Sequence, residues 1–234
     1  VVLTILIVVS IDYLLQRRSS RRTGEAGRVP AGQPIDEGTP ASVPPGLPLG
    51  LFVHPGHAWA EVQAGGRVRV GIDGFLQWVV GAPDRIAMLA SGQRVSQGEP
   101  ILALEQAGRR ILVPSPVSGT IQASNERLAS RPQSLGDDPY HDGWAYAIRP
   151  SRLGEEIHVL RVAEAATAWF KGEMERFTDW LKGLSAQEPL PALPDGGSPV
   201  AGVLGLLDDA GWAGFQAEFI GTPSPGIPEQ LRGA

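Results

Sequence analysis

Glu105-Gln106-Ala107-Gly108-Arg109-Arg110-Ile111-Leu112-Val113-Pro114-Ser115-Pro116-Val117-Ser118-Gly119 is the stretch from which the fold can be read. Ala107-Gly108 stands between two apolar runs, Ile101-Leu102-Ala103-Leu104 and Ile111-Leu112-Val113. A two-residue break of this kind predicts a β-hairpin that displays its tip to solvent. The proline and glycine that follow predict a further turn and the start of another strand.

Outward from the hairpin the same short alternating pattern continues. Trp59-Ala60-Glu61-Val62-Gln63, the turn Gly65-Gly66 and Arg67-Val68-Arg69-Val70-Gly71-Ile72 predict a second hairpin, with Val68, Val70 and Ile72 on one face. Asp84 to Leu89 predicts a strand, and Ser91 to Pro100 a loop leading into Ile101. Gly119 to Asn125 and Ala145 to Ile148 give two more strands, separated by a polar loop from Asn125 to Gly143. Short strands at this spacing indicate a mainly β domain, a compact sandwich or barrel.

Composition narrows the possibilities. A net charge of −5 offers no global basic surface, so nucleic acid is a poor candidate partner. The absence of cysteine excludes disulfides, thiolate zinc sites and an iron–sulfur cluster on this chain. With 30 glycines and 21 prolines in 234 residues, part of the chain is expected to be linker. Of 20 basic residues only two are lysine, Lys171 and Lys182.

At the N-terminal end, Val1 to Leu15 is apolar apart from Thr4, Ser10 and Asp12 and stops at Arg17-Arg18. As a helix it spans roughly 22 Å against a hydrocarbon core of ~30 Å, and Tyr13, snorkelling Arg17 or residues preceding Val1 would extend it. Residues 1–18 are therefore expected to be a transmembrane anchor, the alternative being a helix docked on the membrane subunit of a complex. Arg17, Arg18, Arg21 and Arg22 place the remainder on the cytoplasmic side of a bacterial inner membrane. Residues 19–50 are rich in Pro, Gly, Ser and Arg and are expected to be a linker.

Beyond the strands, Val159, Val162, Ala163, Ala166, Trp169, Phe170, Met174, Phe177, Trp180 and Leu181 recur at helical spacing and predict an amphipathic helix that packs on the barrel or on another protein. Residues 51–184 form the expected domain and 185–197 a second linker. Ser198-Pro199 has the form of an N-cap with proline at the first helical position, opening an apolar helical tail over 198–234. Its stripe, Val200, Val203, Leu204, Leu207, Trp212, Phe215 and Phe219, is expected over two short helices broken near Gly211. Such a tail either folds back or docks on a partner.

From Leu51 to Leu181 a series of landmarks resembles the glycine cleavage system H protein, a lipoyl-carrier domain family. His57-Ala58-Trp59 is similar to the family's His-Glu-Trp, with Ala58 in place of the acid, and Val70-Gly71-Ile72-Asp73-Gly74-Phe75 resembles its opening of a short helix. Gly92, Val95, Gly98, Glu105 and Pro116-Val117-Ser118-Gly119 match around the hairpin; Asn125, Leu128, Asp138-Pro139-Tyr140 and Gly143-Trp144 match after it. The resemblance implies a lipoyl-type barrel-sandwich hybrid with C-terminal helices. It also implies a swinging carrier, in which a lysine at the hairpin tip is acylated with lipoate and the cofactor carries the chemistry. Counting back from Pro116, that lysine falls on Gly108, which has no side chain to acylate.

Arg109 cannot replace it, because a guanidinium stays protonated and is no acyl acceptor. The expectation is a non-catalytic H-protein-like module without cofactor, an accessory or interaction subunit of a membrane assembly. Alternatives are a carrier modified on Lys171 or Lys182 and a membrane-fusion-type export adaptor. Candidate partner contacts are Arg109 and Arg110 at the tip, which suit an acidic surface or lipid phosphate, and Trp212, Phe215 and Phe219 in the tail. His54, His57 and His141 have metal-ligating chemistry, but Pro55-Gly56 denies the first two a fixed helical spacing and no metal is expected. Asp137-Asp138 and Asp208-Asp209 lack a neighbouring base or nucleophile and are expected on solvated surfaces.

Overall fold

A computed structural model describes residues 46–185, 199–221 and 227–232 of the chain. The segments expected as anchor (1–18), most of the first linker (19–50), the second linker (185–197) and the Ser198 cap fall outside the described residues, apart from Gly46–Gly50 and Ser185. No described helix is long and apolar enough to cross a membrane.

The first strands are β1 (Phe52–Val53), β2 (Ala58–Val62) and β3 (Val68–Ile72), the last two joined through Gly65-Gly66. Both glycines have positive φ, 90° and 78°, which is why this turn uses residues without a Cβ. The short helix α1 (Gly74–Val80) follows at once, capped by the Asp73 carboxylate, which accepts from the Leu76 amide at 2.9 Å. Then come β4 (Arg85–Met88), β5 (Arg94–Val95), β6 (Pro100–Gln106), β7 (Arg109–Pro114) and β8 (Gly119–Ser124). All strand pairs are antiparallel: a seven-stranded sheet in the order β10-β1-β2-β3-β9-β8-β5 and a three-stranded sheet β4-β6-β7, with β9 at Trp144–Pro150 and β10 at Arg161–Val162. The fold is thus mainly β with helices at its C-terminal end.

The two sheets are tied by one buried hydroxyl. Tyr146, on β9 of the large sheet, donates to the Ile101 carbonyl at 2.7 Å and accepts from the Leu89 amide at 2.7 Å, both beside the small sheet. Burial raises the phenol's pKa, so it stays a neutral donor and acceptor. A second long-range tie explains two of the sequence landmarks. Trp59 is fully buried, donates its indole N–H to the Pro139 carbonyl at 3.0 Å and lies over Gly71, where an added Cβ would fall 2.6 Å from the ring. Tyr140 next to it closes the first turn of α1 by accepting from the Gly74 amide at 2.8 Å. His57-Ala58-Trp59, Gly71 and Asp138-Pro139-Tyr140 are therefore one packed junction.

Several expected boundaries shift. The loop Asn125 to Gly143 contains α2 (Glu126–Ser130) and a 3-10 turn (Pro132–Gly136), each pinned by one buried leucine, Leu128 and Leu135. After β9, a short α3 (Leu153–Glu156) leads to Val159 and Val162, which precede the long helix and are exposed. Val162 pairs with Phe52 as part of β10. The helix α4 runs Ala163–Ser185 and buries Ala166, Phe170, Glu173, Phe177 and Leu181 along one face. In the tail, Pro199 and Val200 are not helical; a 3-10 turn (Val203–Leu206) precedes α5 (Asp209–Phe215), which Asp208 caps through the Gly211 amide at 2.8 Å. Gly211 does not break the helix. It lets the capping turn close, since a Cβ there would approach Leu207 Cβ to 2.8 Å. The chain then continues into one π-helical turn, Gln216–Ile220.

Candidate functional site

The β6–β7 hairpin forms as the sequence predicts: Gln106 pairs with Arg109, leaving Ala107 and Gly108 as a two-residue loop with φ of 50° and 77°. Two left-handed residues make the turn whose twist matches the strands. Asp84 Oδ2 accepts from the Ala107 amide at 2.7 Å, and Arg85 lies 3.1 Å from Glu105 Oε2 beneath the turn. Nothing lies within 4 Å of where a Gly108 Cβ would point, so the tip is open to solvent. A cleft of about 300 Å3 runs along this end, lined by Asp84, Arg85, Glu105, Gln106 and the two tip arginines.

Lipoate is held through an amide to a lysine amine, and the hairpin offers none. The chain's lysines are on the surface of α4, Lys171 at 4.0 Å from Glu175 and Lys182 at 3.3 Å from Asp179, each an ordinary ion pair within a helix. The residues present at the tip do not fit an amide-linked carrier group.

What the tip does hold is the chain's own tail. Arg109 Nε is 2.6 Å from Asp209 Oδ1 at the start of α5, and Arg110 donates to the Leu231 carbonyl at 3.2 Å. Gln216 reaches the outer edge of β7, accepting from the Leu112 amide at 2.8 Å and donating to the Leu112 carbonyl at 3.3 Å. Arg176 on α4 donates to the Glu218 carbonyl at 2.6 Å and stacks at 4.6 Å over the Phe219 ring. Trp212, Phe215 and Phe219, expected as partner contacts, are buried at 3%, 0% and 3% exposure. Phe215 and Phe219 close an aromatic cluster with Phe75 of α1 and with Phe177 and Trp180 of α4. The tail folds back, because its apolar stripe meets an aromatic face that α1 and α4 leave uncovered. In this arrangement the three aromatics are buried, whereas Arg109 is half-buried against Asp209 and Arg110 stays exposed beside its bond to Leu231.

Under that cluster lies a buried polar group built on His57, which the sequence offers both as a family landmark and as a histidine of metal-ligating chemistry. His57 has no exposed surface; its Nδ1 is 2.8 Å from Asp73 Oδ2, and its ring stacks on Phe75 with centroids 4.3 Å apart. Its Nε2 faces Glu173 Oε2 at 3.9 Å, and Glu173 is held from the other side by Arg176 at 2.6 Å. The chain Asp73–His57–Glu173–Arg176 thus runs from the α1 cap to the tail. The helical spacing of Glu173 within the apolar face of α4, at position i+3 from Phe170, was the signal that could have found it. His54 lies beside this group: its carbonyl accepts from the His57 amide at 3.0 Å and its Nδ1 accepts from the Gly56 amide at 3.0 Å. Burial, helped by the neighbouring His57 and Arg161, lowers its pKa to about 4. His141 is exposed and pairs with Asp138 at 3.1 Å. Among the described residues no group of three or more His, Asp or Glu gathers as a metal-ligand set. Asp209 is 90% exposed apart from its contact with Arg109.

Residues 51–173 match the model of the family described as Glycine cleavage H-protein. The Glycine cleavage system H protein of Methylococcus capsulatus is 38% identical over 114 residues, 49% of this chain and 89% of that protein. The Probable glycine cleavage system H protein of Pyrococcus horikoshii is 33% identical over 122 residues, 52% of this chain and 90% of that protein. Among solved structures, a glycine cleavage system H protein from Mycobacterium marinum aligns with a TM-score of 0.47 and 27% identity, over 54% of this chain and 99% of that one.

Proposed function

We propose that this chain, which belongs to the glycine cleavage H-protein family, keeps the family's frame without its carrier chemistry and serves as a non-catalytic interaction subunit of a membrane assembly. The observation that supports this reading is the hairpin tip. It is open at Gly108, presents no amine, and spends Arg109 and Arg110 on the chain's own tail. A swinging arm needs a covalent anchor at a tip accessible to its partners. Here the tip is accessible but lacks the anchor. In this reading residues 1–18 hold the module at the inner membrane, 19–50 give it reach on the cytoplasmic side, and its contacts are made with other subunits of the assembly.

Intact mass of the chain purified from its native membrane in mild detergent, with identification of whatever accompanies it, tests both halves. An unmodified mass with stoichiometric membrane subunits is the expected result. A lipoyl-sized mass increase on Lys171 or Lys182 would overturn the non-carrier half, and a chain that purifies alone would overturn the subunit half.

A further inference from the structure

On the large sheet, away from the hairpin tip, the strand register lines up a basic wall. Arg94 of β5 pairs with Thr120 of β8, and Thr120 pairs with Arg149 of β9. Residues paired directly across a ladder share a face, so the two guanidinium groups flank one hydroxyl, with their Cα atoms about 10 Å apart over two strand spacings. The face is outward: Arg94 and Arg149 are exposed, while their neighbours Val95 and Ile148 are buried. Among the described residues neither arginine has an ion-pair partner, in a chain whose net charge is −5.

The wall borders an open cleft of about 580 Å3 completed by the segment after β9, which brings in Ser151 and a third guanidinium, Arg152. Arg152 is fixed in place: it lies 3.3 Å from Glu156 Oε1 and donates to Ser118 Oγ at 3.3 Å. Glu156 is itself buried, accepting from the Ser118 amide at 2.7 Å and from the Ser118 hydroxyl. Its charge therefore serves to position Arg152. The remaining carboxylate on the cleft, Glu99, caps the Ser96 amide at 2.9 Å. Three guanidinium groups against two engaged carboxylates leave the cleft positive, and the Thr120 and Ser151 hydroxyls add donors at its floor and rim.

We propose that this cleft binds a phosphate-bearing ligand, held between Arg94 and Arg149 with Thr120 and Arg152 completing its hydrogen bonds. A phosphate offers three acceptor oxygens and up to two charges, matching several converging donors better than a single carboxylate does. The same chemistry is supplied by a soluble phosphomonoester or by an anionic lipid headgroup. The site does not rest on the non-carrier reading above; it holds for a lipoylated chain as well.

The test compares the full chain with the double variant R94Q/R149Q, whose unliganded melting temperature confirms folding. Two probes are used: glycerol 3-phosphate followed by calorimetry and melting shift, and phosphatidylcholine vesicles with and without phosphatidic acid followed by sedimentation. Attachment through the N-terminal segment is common to both proteins and cancels. Saturable binding of glycerol 3-phosphate weakened roughly tenfold or more in the variant is expected for a soluble ligand, the scale of losing charge-assisted hydrogen bonds. Phosphatidic acid-dependent sedimentation lost in the variant is expected for a headgroup. Equal behaviour of the two proteins toward both probes overturns the proposal. So does an equal shift from sodium chloride at matched ionic strength, or from a glutamate-rich peptide, since either reduces the cleft to diffuse positive charge.

Discussion

Phe215→Ala tests whether the tail belongs to the core of this protein. Phe215 has no exposed surface, and its ring centroid lies 5.1 Å from Phe219, 5.8 Å from Phe177 and 6.2 Å from Trp180. Truncation gives up about 2–3 kcal/mol of apolar transfer and about 0.5–1.5 kcal/mol for the aromatic pairing. The flanking rings are held by α1 and α4 and cannot collapse fully into the space, so the total is about 3–5 kcal/mol. The loss reaches a defined reporter, the Leu112 amide, whose bond goes to the Gln216 side chain at 2.8 Å. Where closing outpaces chemical exchange, hydrogen exchange at that amide is expected to accelerate by about two to three and a half orders of magnitude. The amides shared between β6 and β7 should change less if the tail opens separately, or equally if it opens with the whole domain. Unchanged exchange at Leu112 together with an unchanged melting temperature would refute the docking of the tail and return Phe215 to the role of an external contact.

Tyr146→Phe leaves the Leu89 amide and Ile101 carbonyl without their shared hydroxyl in the interior, and chemical denaturation should show a loss of about 1–3 kcal/mol with little change in cooperativity. Gly71→Ala places a methyl group against the Trp59 indole and is expected to cost about 1–3 kcal/mol and to shift the tryptophan emission. For His54 the folded pKa of about 4 lies below the ordinary value of 6.5, so the unfolded chain binds more protons between the two. Stability should therefore be full above pH 6.5, fall as pH drops toward 4, and lose nothing further from this group below that. In His54→Gln that part of the acid slope should be missing from denaturation curves collected across the window.

The hairpin was legible in the sequence because its signals are local: a two-residue break between apolar runs decides a turn without reference to the rest of the chain. The first hairpin, at Gly65-Gly66, was legible for the same reason. The meaning of the landmarks was not, since Trp59 and Pro139 meet across 80 positions and nothing in either neighbourhood announces the other. The two short helices between Asn125 and Gly143 each bury one leucine, too little for a periodic signal. In the tail, Ser198-Pro199 had the form of a cap, yet the helix starts where Asp208 can reach the Gly211 amide and where Leu207 can turn into the core. An apolar stripe states that a face will be covered; whether by the same chain depends on the aromatic face formed by α1 and α4, residues far away in sequence. The two arginines open β7 directly after the Ala107-Gly108 turn, and their partners, Asp209 and the Leu231 carbonyl, arrive from the end of the chain.

The two-point contact of Gln216 with Leu112 has a further consequence. β7 is the edge of the small sheet, and an edge strand is a template on which another chain can add. With its carboxamide the glutamine supplies one donor and one acceptor in the spacing a neighbouring strand would use, so it blocks recruitment of a foreign strand at that place. A chain shortened before Pro199 would expose this template beside a freshly uncovered aromatic surface. Self-association through added strands, rising with protein concentration, is the expected fate of such a truncation.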